Sequence, residues 1–275
     1  MNLQPPIALS FGSPLFDDGT TASGAVALDR WRALVARDGP QRAAAKVSGD
    51  FAVALTLDDG SVFMAVDRFA VRPLCWRTVD GGVRVADRAD MLGADGVALD
   101  AQGLFDYLYF HVIPSPRTVF EGVHRLPPGH WGLFKNGRMA TGRYWLPRFA
   151  PRQQPDFSAL RDEFRGLLRD ATARQLDGSP AACFLSGGTD SSTVAGMIGL
   201  ATGRPAITYS IGFEAEGYDE MEFARLTARH FGCDHRELYV TPDDLVRDIP
   251  KVAGWYDQPF GNSSALPSFH CAARA

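Results

Sequence analysis

Two different rhythms of apolar and polar positions divide the chain. Up to about residue 147, short apolar runs recur between turn signals. Residues 7–11 and 48–57 are such runs, and 61–66 follows the second across Asp58-Asp59-Gly60. An Asp-Gly turn between apolar runs marks a β-hairpin, because the turn requires positive φ and glycine adopts it freely. The arrangement recurs between 74–78 and 82–86 across Asp80-Gly81, and between 130–134 and 138–145 across Lys135-Asn136-Gly137. Helices are predicted over 28–46 and 101–110. Residues 1–147 therefore read as an α+β domain with a largely antiparallel sheet.

Pro147 precedes residues 148–156 and Pro151 and Pro155 punctuate them, so the stretch reads as a linker. Beyond it the period lengthens. Leu160, Phe164, Leu167, Leu168 and Ala171 fall on one face of a helix predicted over 157–175. Strands at 181–185, 206–211 and 236–240 then alternate with helices at 191–200, 220–231 and from 242 onward. Thr241 supplies an N-cap and Pro242 a first-turn residue for the last of these. Such alternation predicts an α/β doubly wound parallel sheet over 157–275, whose ligands sit outside the carboxyl ends of the strands.

Composition narrows the classes. The chain has 275 residues, 45% hydrophobic and 22% charged, with a net charge of −4. It is long enough for two cores, and no Lys/Arg cluster offsets the negative balance, so no nucleic acid is expected as a partner. No basic leader and no long apolar run are present, so neither secretion nor a membrane is expected. Cys75, Cys183, Cys233 and Cys271 are scattered without C-x-x-C spacing and read as reduced thiols of a cytoplasmic protein.

The chemistry concentrates at Ser186-Gly187-Gly188-Thr189-Asp190-Ser191-Ser192, between a predicted strand ending at Leu185 and a predicted helix. The first N–H groups of a helix lack intrahelical partners, and the helix dipole adds positive character there. Gly187 and Gly188 let the backbone approach a phosphate, and Ser186, Ser191 and Ser192 add hydroxyls. A carboxylate beside a phosphate repels it unless a cation intervenes. Asp190 therefore points to Mg²⁺ as the metal. The Walker pattern is excluded, since no Lys is present in the loop.

The Ser-Gly-Gly-x-Asp-Ser loop resembles the pyrophosphate loop of ATP pyrophosphatases. A wider set, in order, resembles the asparagine synthetase B family. It comprises Gly49-Asp50-Phe51-Ala52, Asp67-Arg68 through Arg72-Pro73-Leu74, Leu126-Pro127-Pro128-Gly129-His130, Tyr209 to Phe213, Tyr218-Asp219-Glu220, and Asp257-Gln258-Pro259 through Ser263-Ser264. The resemblance implies an N-terminal-nucleophile-hydrolase-like domain (1–147) followed by an ATP-pyrophosphatase or synthetase domain (157–275). It implies an AMP-forming amide ligase that takes ATP and Mg²⁺ and activates a small carboxylate such as aspartate, or a peptide, as an acyl-adenylate. It also implies that Leu185 and Ile211 offer main-chain groups to adenine. A plain core-strand role is compatible with that. Asp257, Ser263 and Ser264 face pyrophosphate or the acyl substrate on the same resemblance, with helix capping by the serines as the competing explanation. Asp67-Arg68 and Arg72-Pro73 read as structural, as does His235. Asp243-Asp244 reads as a solvated first turn.

Three departures from the family pattern shape the expectations. The chain opens Met1-Asn2-Leu3, and its first cysteine is Cys75, so no thiol stands where the family's glutaminase nucleophile does. The family's glutamine-gripping Arg-Gly-Pro-Asp and Asn-Gly-Glu runs are absent. The synthetase domain reads as incomplete at Ala275, before the family's later acidic loop. The expectation is a chain that does not hydrolyse glutamine. Three outcomes stay open: an asparagine synthase-like ligase using ammonia, a β-lactam-synthetase- or lasso-cyclase-like enzyme using an amine, and a nonfunctional or regulatory nucleotide-binding remnant.

Overall fold

The computed structural model describes residues 5–94, 96–151, 156–213 and 221–275. Asn2, Tyr218, Asp219, Glu220 and part of the proposed linker (152–155) lie outside the described residues. The chain forms two compact units of mixed α/β content. One comprises Met1–Phe149 with Tyr256–Gly261, and the other comprises Ala150–Trp255 with Asn262–Ala275.

Unit 1 opens with β1 (Ala8–Gly12), α1 (Gly24–Asp38) and α2 (Pro40–Lys46), then the hairpin β2 (Phe51–Thr56) and β3 (Val62–Val66). A second hairpin, β4 (Cys75–Val79) and β5 (Gly82–Ala86), leads through the short α3 (Asp90–Gly93) and α4 (Ala101–Phe110) to β6 (Val123–Arg125). A third hairpin, β7 (His130–Lys135) and β8 (Arg138–Arg143), closes the unit. The strands make an antiparallel five-stranded sheet ordered β1-β2-β3-β7-β8 and a three-stranded sheet ordered β5-β4-β6.

β2 and β3 are apolar at nearly every position because both of their faces are covered. Phe51, Val53, Leu55, Phe63 and Ala65 pack against Trp31, Leu34 and Ala43 of the helices. The intervening residues Ala52, Ala54, Met64 and Val66 pack against Val83 of the smaller sheet and against Leu74 and Leu126, which flank its strands β4 and β6. Period-two alternation thus separates two cores rather than core from solvent. Asp67 is 2% exposed and accepts the backbone N–H groups of Phe51 and Phe69, a structural role.

The single helix expected over 28–46 is in fact two. Gly39 has φ 77°, and Pro40 opens α2. Proline suits a helix start, and its ring and missing N–H oppose helix continuation through it.

Unit 2 begins with α5 (Phe157–Ala173), then alternates β9 (Ala182–Phe184), α6 (Thr189–Thr202), β10 (Ile207–Phe213), α7 (Met221–Phe231), β11 (Asp234–Val240), α8 (Pro242–Ala253) and α9 (Ala265–Ala272). The three strands are parallel in the order β11-β10-β9. Leu185, Ala195, Met221, Ala224 and Ala228 form a core beneath α6 and α7. Thr241 and Asp244 make a reciprocal capping box at the start of α8.

Candidate functional site

The strand β9 delivers the chain to Leu185, which is 1% exposed, and the loop turns immediately afterward. Gly187 sits at φ +83°, and a Cβ there would lie 2.5 Å from the Ala224 nitrogen and from the Phe223 Cβ. The loop therefore rests directly on α7, and glycine is required by both conformation and contact. Gly188 is different. It N-caps α6 at φ −69°, ψ 165°, which suits any residue. A Cβ there would meet the Ser186 Oγ alone, at 3.4 Å. No described residue demands its missing side chain, and glycine there leaves the approach to the helix uncovered.

Hydroxyls brace this turn. The Ser186 N–H donates to Ser191 Oγ at 3.2 Å, and the two hydroxyls are 3.0 Å apart. The Gly188 N–H donates to Ser186 Oγ at 3.3 Å, and Ser191 Oγ donates to the Gly188 carbonyl at 3.2 Å. Ser192 turns away, 2.9 Å from Thr227 Oγ1 on α7. Asp190 lies in the first turn of α6, exposed, and its carboxylate engages no group among the described residues. Among the described residues no three His, Cys, Asp or Glu side chains gather into a metal cluster.

A cleft of about 720 Å³ opens at the carboxyl ends of the parallel strands. Of the residues singled out from sequence, Leu185, Ser186, Ser191, Ile211, Ser263 and Ser264 line it. Gly187, Gly188, Asp190 and Ser192 stand in the adjoining loop and helix start. Asp257 does not line the cleft: it belongs to unit 1, ion-paired with Arg125. Ser264 precedes α9 but makes no side-chain cap bond, so capping does not account for it. Its N–H instead donates to Asn262 Oδ1 at 2.9 Å.

The backbone at the cleft floor has a specific polarity. The Ile207 N–H donates to the Ala181 carbonyl, and the Tyr209 carbonyl accepts from the Leu185 N–H at 2.8 Å. Alternate residues of β10 thus turn toward β9, and Ile211 is next in that series. It stands one rung past Leu185. The Leu185 carbonyl that would have met Ile211 instead accepts the buried Ser210 hydroxyl. Leu185 therefore has its main-chain groups occupied within the sheet, whereas Ile211 falls on the side of β10 where β9 has ended and meets no described residue of β9 there.

Tyr209, Ser210 and Phe213, from the segment Tyr209 to Phe213 quoted above, also line the cleft, and so do Leu245, Leu266 and Pro267, to which the sequence assigned no site role. Most are apolar and indistinguishable from core residues in a one-dimensional pattern. Among the described residues no charged side chain lines the cleft. Polarity there comes from serines, from backbone groups and from the amino end of α6. Burial pushes the neighbouring Cys183 thiol up to about 11, with Cys233 adding to the shift.

Residues 163–275 match the asparagine synthase family, and residues 32–145 match the glutamine amidotransferase domain family. A Mycobacterium tuberculosis protein provisionally named a glutamine-hydrolysing asparagine synthetase is 30% identical over 226 residues, covering 78% of this chain and 34% of that protein. Asparagine synthetase [glutamine-hydrolyzing] 1 of Bacillus subtilis is 25% identical over 240 residues, covering 86% of this chain and 38% of its own length. Amidase chyE of Penicillium rubens is 30% identical over 208 residues, covering 68% and 30% respectively. The chain spans about a third of the length of these relatives. The loop between β9 and α6, the two matched domains and their order along the chain make this protein a member of the asparagine synthase-like family.

Proposed function

We propose that unit 2 binds ATP with Mg²⁺ and serves an AMP-forming amide ligase that activates a carboxylate as an acyl-adenylate. The observation that carries this reading is Gly188. Among the described residues its side-chain position would meet the Ser186 hydroxyl alone, at 3.4 Å, at a helix amino end beside a large cleft at the carboxyl ends of parallel strands. In this reading unit 1 has the N-terminal-nucleophile fold and unit 2 the ATP-pyrophosphatase fold.

The roles divide among the chain's own residues. The N–H groups of Thr189, Asp190 and Ser191 face the phosphates from the first turn of α6. Ser186 and Ser191 hold the loop in shape and can redirect hydroxyls to phosphate oxygens. Ile211 reads an adenine edge with its main-chain donor and acceptor, while Leu185 and Phe213 supply apolar cover. Ser263 and Ser264 line the other wall, toward pyrophosphate or the acyl group. Asp190, exposed and without a partner among the described residues, fits the requirement for a carboxylate that holds Mg²⁺ against phosphate. When bound, that ion supplies charge neutralisation. A carboxylate is a poor electrophile, and conversion to a mixed anhydride makes AMP the leaving group for a nitrogen nucleophile. The carboxylate is a small acid such as aspartate, or a peptide.

One observation favours a second reading, in which the nucleophile is an amine rather than glutamine-derived ammonia. Cys75 is the one cysteine of residues 1–149, it is fully buried, and burial pushes its thiol up to about 11. A thiol in that state attacks no amide.

Calorimetry with a non-hydrolysable ATP analogue tests the proposal. Mg²⁺-dependent binding that Asp190→Ala weakens supports it. Absence of binding in both proteins would overturn it, and the reading as a nucleotide-binding remnant with it.

A further inference from the structure

We propose that Thr227 is a positioning residue for the amino end of α6, and that Ser192 acts through it rather than by touching nucleotide. This rests on the reading of the loop before α6 as a phosphate site.

Three contacts along α7 form a seam with the loop and with α6. The Gly187 backbone lies against Phe223 and Ala224, as the 2.5 Å approach of a Cβ placed there shows. The Ser192 and Thr227 hydroxyls stand 2.9 Å apart, both residues half-buried. A Cβ on Gly196 would come 2.8 Å from the Phe231 ring. Phe223, Thr227 and Phe231 follow at four-residue steps and share one face of α7, and Ser192 and Gly196 likewise share one face of α6. Residue numbers rise together along the seam, so the two helices run in the same direction. α7 is in turn tied to the sheet: Arg225 Nε and Nη2 donate to the two carboxylate oxygens of Glu237 on β11, at 2.7 and 2.6 Å.

Small residues already bring the helices together, with Ala195, Ala224 and Ala228 in the core beneath them. An apolar pair at 192 and 227 would fill the same space, and a buried hydroxyl pair adds little net stability because both groups give up water. What the pair adds is direction. A hydrogen bond weakens steeply as its angle bends, so this one resists rotation of α6 about its axis and sliding of α6 along α7. Thr189, Asp190 and Ser191, whose N–H groups are the proposed phosphate donors, immediately precede Ser192 and lie within one helical turn of it. Rotation of that turn would swing the donors off the phosphate. The same bond turns the Ser192 hydroxyl toward α7, whereas the Ser186 and Ser191 hydroxyls meet each other within the loop. Thr227 thus sets the aim of the helix amino end from outside the loop.

The test compares wild type with Thr227→Val, Thr227→Ser, Ser192→Ala and the double variant Ser192→Ala/Thr227→Val in the whole chain. Two quantities are measured: affinity for a non-hydrolysable ATP analogue with Mg²⁺, and hydrogen exchange of amides 192–196. The expectation is affinity about three- to tenfold weaker in Thr227→Val and in Ser192→Ala, and no weaker in the double variant than in either single one. Faster exchange at 192–196 should accompany the loss, and Thr227→Ser, which keeps the hydroxyl, should recover both. Weakened affinity in Ser192→Ala with unchanged affinity in Thr227→Val would overturn the proposal, because Ser192 would then touch nucleotide itself. Losses that add in the double variant would overturn it, as would weakened affinity with unchanged exchange, or faster exchange with unchanged affinity. If wild type binds no analogue, the ATP reading fails by itself. Exchange then decides alone: faster exchange at 192–196 in Thr227→Val, recovered in Thr227→Ser, supports Thr227 as the residue that holds α6, and unchanged exchange overturns it.

Discussion

Gly187 and Phe223 touch through the space where a side chain would be: a Cβ on Gly187 would stand 2.5 Å from the Phe223 Cβ. Its neighbour Gly188 faces no such obstacle. The two glycines of one motif thus answer to different constraints, one set by α7 and the other by whatever lies before α6.

That difference predicts opposite phenotypes. Gly187→Ala should destabilise unit 2 by about 1–3 kcal/mol, from strained φ and backbone collision. Gly188→Ala should cost less, about 0.5–1 kcal/mol for the poorer N-cap, yet weaken nucleotide binding. Urea unfolding paired with calorimetry separates the two. Equal loss of stability in both variants would contradict the assignment.

Ser210 should matter to the floor of the cleft rather than to chemistry. Its hydroxyl, in a residue 4% exposed, satisfies the Leu185 carbonyl at the last rung of β9. Ser210→Ala should cost about 1–3 kcal/mol by leaving that carbonyl unpaired. A thermal scan showing no loss would mean that another group takes over the carbonyl.

Cys75 should be inert. With its thiol near 11, about one molecule in a thousand carries thiolate at pH 8, and the residue is fully buried. Iodoacetamide at pH 8 should leave Cys75 unmodified in the folded chain and label it in urea. Labelling of folded Cys75 at the rate of a free thiol would contradict this, and would reopen thiol chemistry in unit 1.

Asp244 gives α8 a pH dependence. The Thr241 hydroxyl, then its N–H, then Arg247 hold the carboxyl down to about 2 from an ordinary 3.8. A folded value below the unfolded one means that the carboxylate stabilises fully above 3.8. That contribution is lost as pH falls through about 2. Asp244→Asn should therefore lower the urea midpoint of unit 2 at pH 7, with the gap closing as pH falls through about 2. A gap of constant size across that range would contradict the capping box as its cause.

Local signals carried much of the architecture. The three hairpins of unit 1 were legible because an Asp-Gly or Asn-Gly turn and its flanking apolar runs lie within a dozen residues or so. The loop at Ser186–Ser192 was legible because strand, glycine and helix signals are contiguous. Gly39-Pro40 was a break that the surrounding Ala-rich helical pattern masked. β6, three residues long, is too short to carry a period. The Ser192 hydroxyl points to Thr227, a direction set by α7 packing and invisible in the motif. Asp257 finds Arg125 across 132 positions, and no local pattern encodes such a pairing.

The central claim is that ATP occupies the cleft of unit 2 through the loop before α6. Photolabelling with an azido-adenine ATP analogue in the presence of Mg²⁺, followed by peptide mapping, tests it directly. The account predicts label on peptides containing Leu185–Ser192 or Ile207–Phe213, displaced by excess ATP and lost in Gly188→Ala. Label confined to unit 1, or label at these peptides that excess ATP fails to displace, would contradict it.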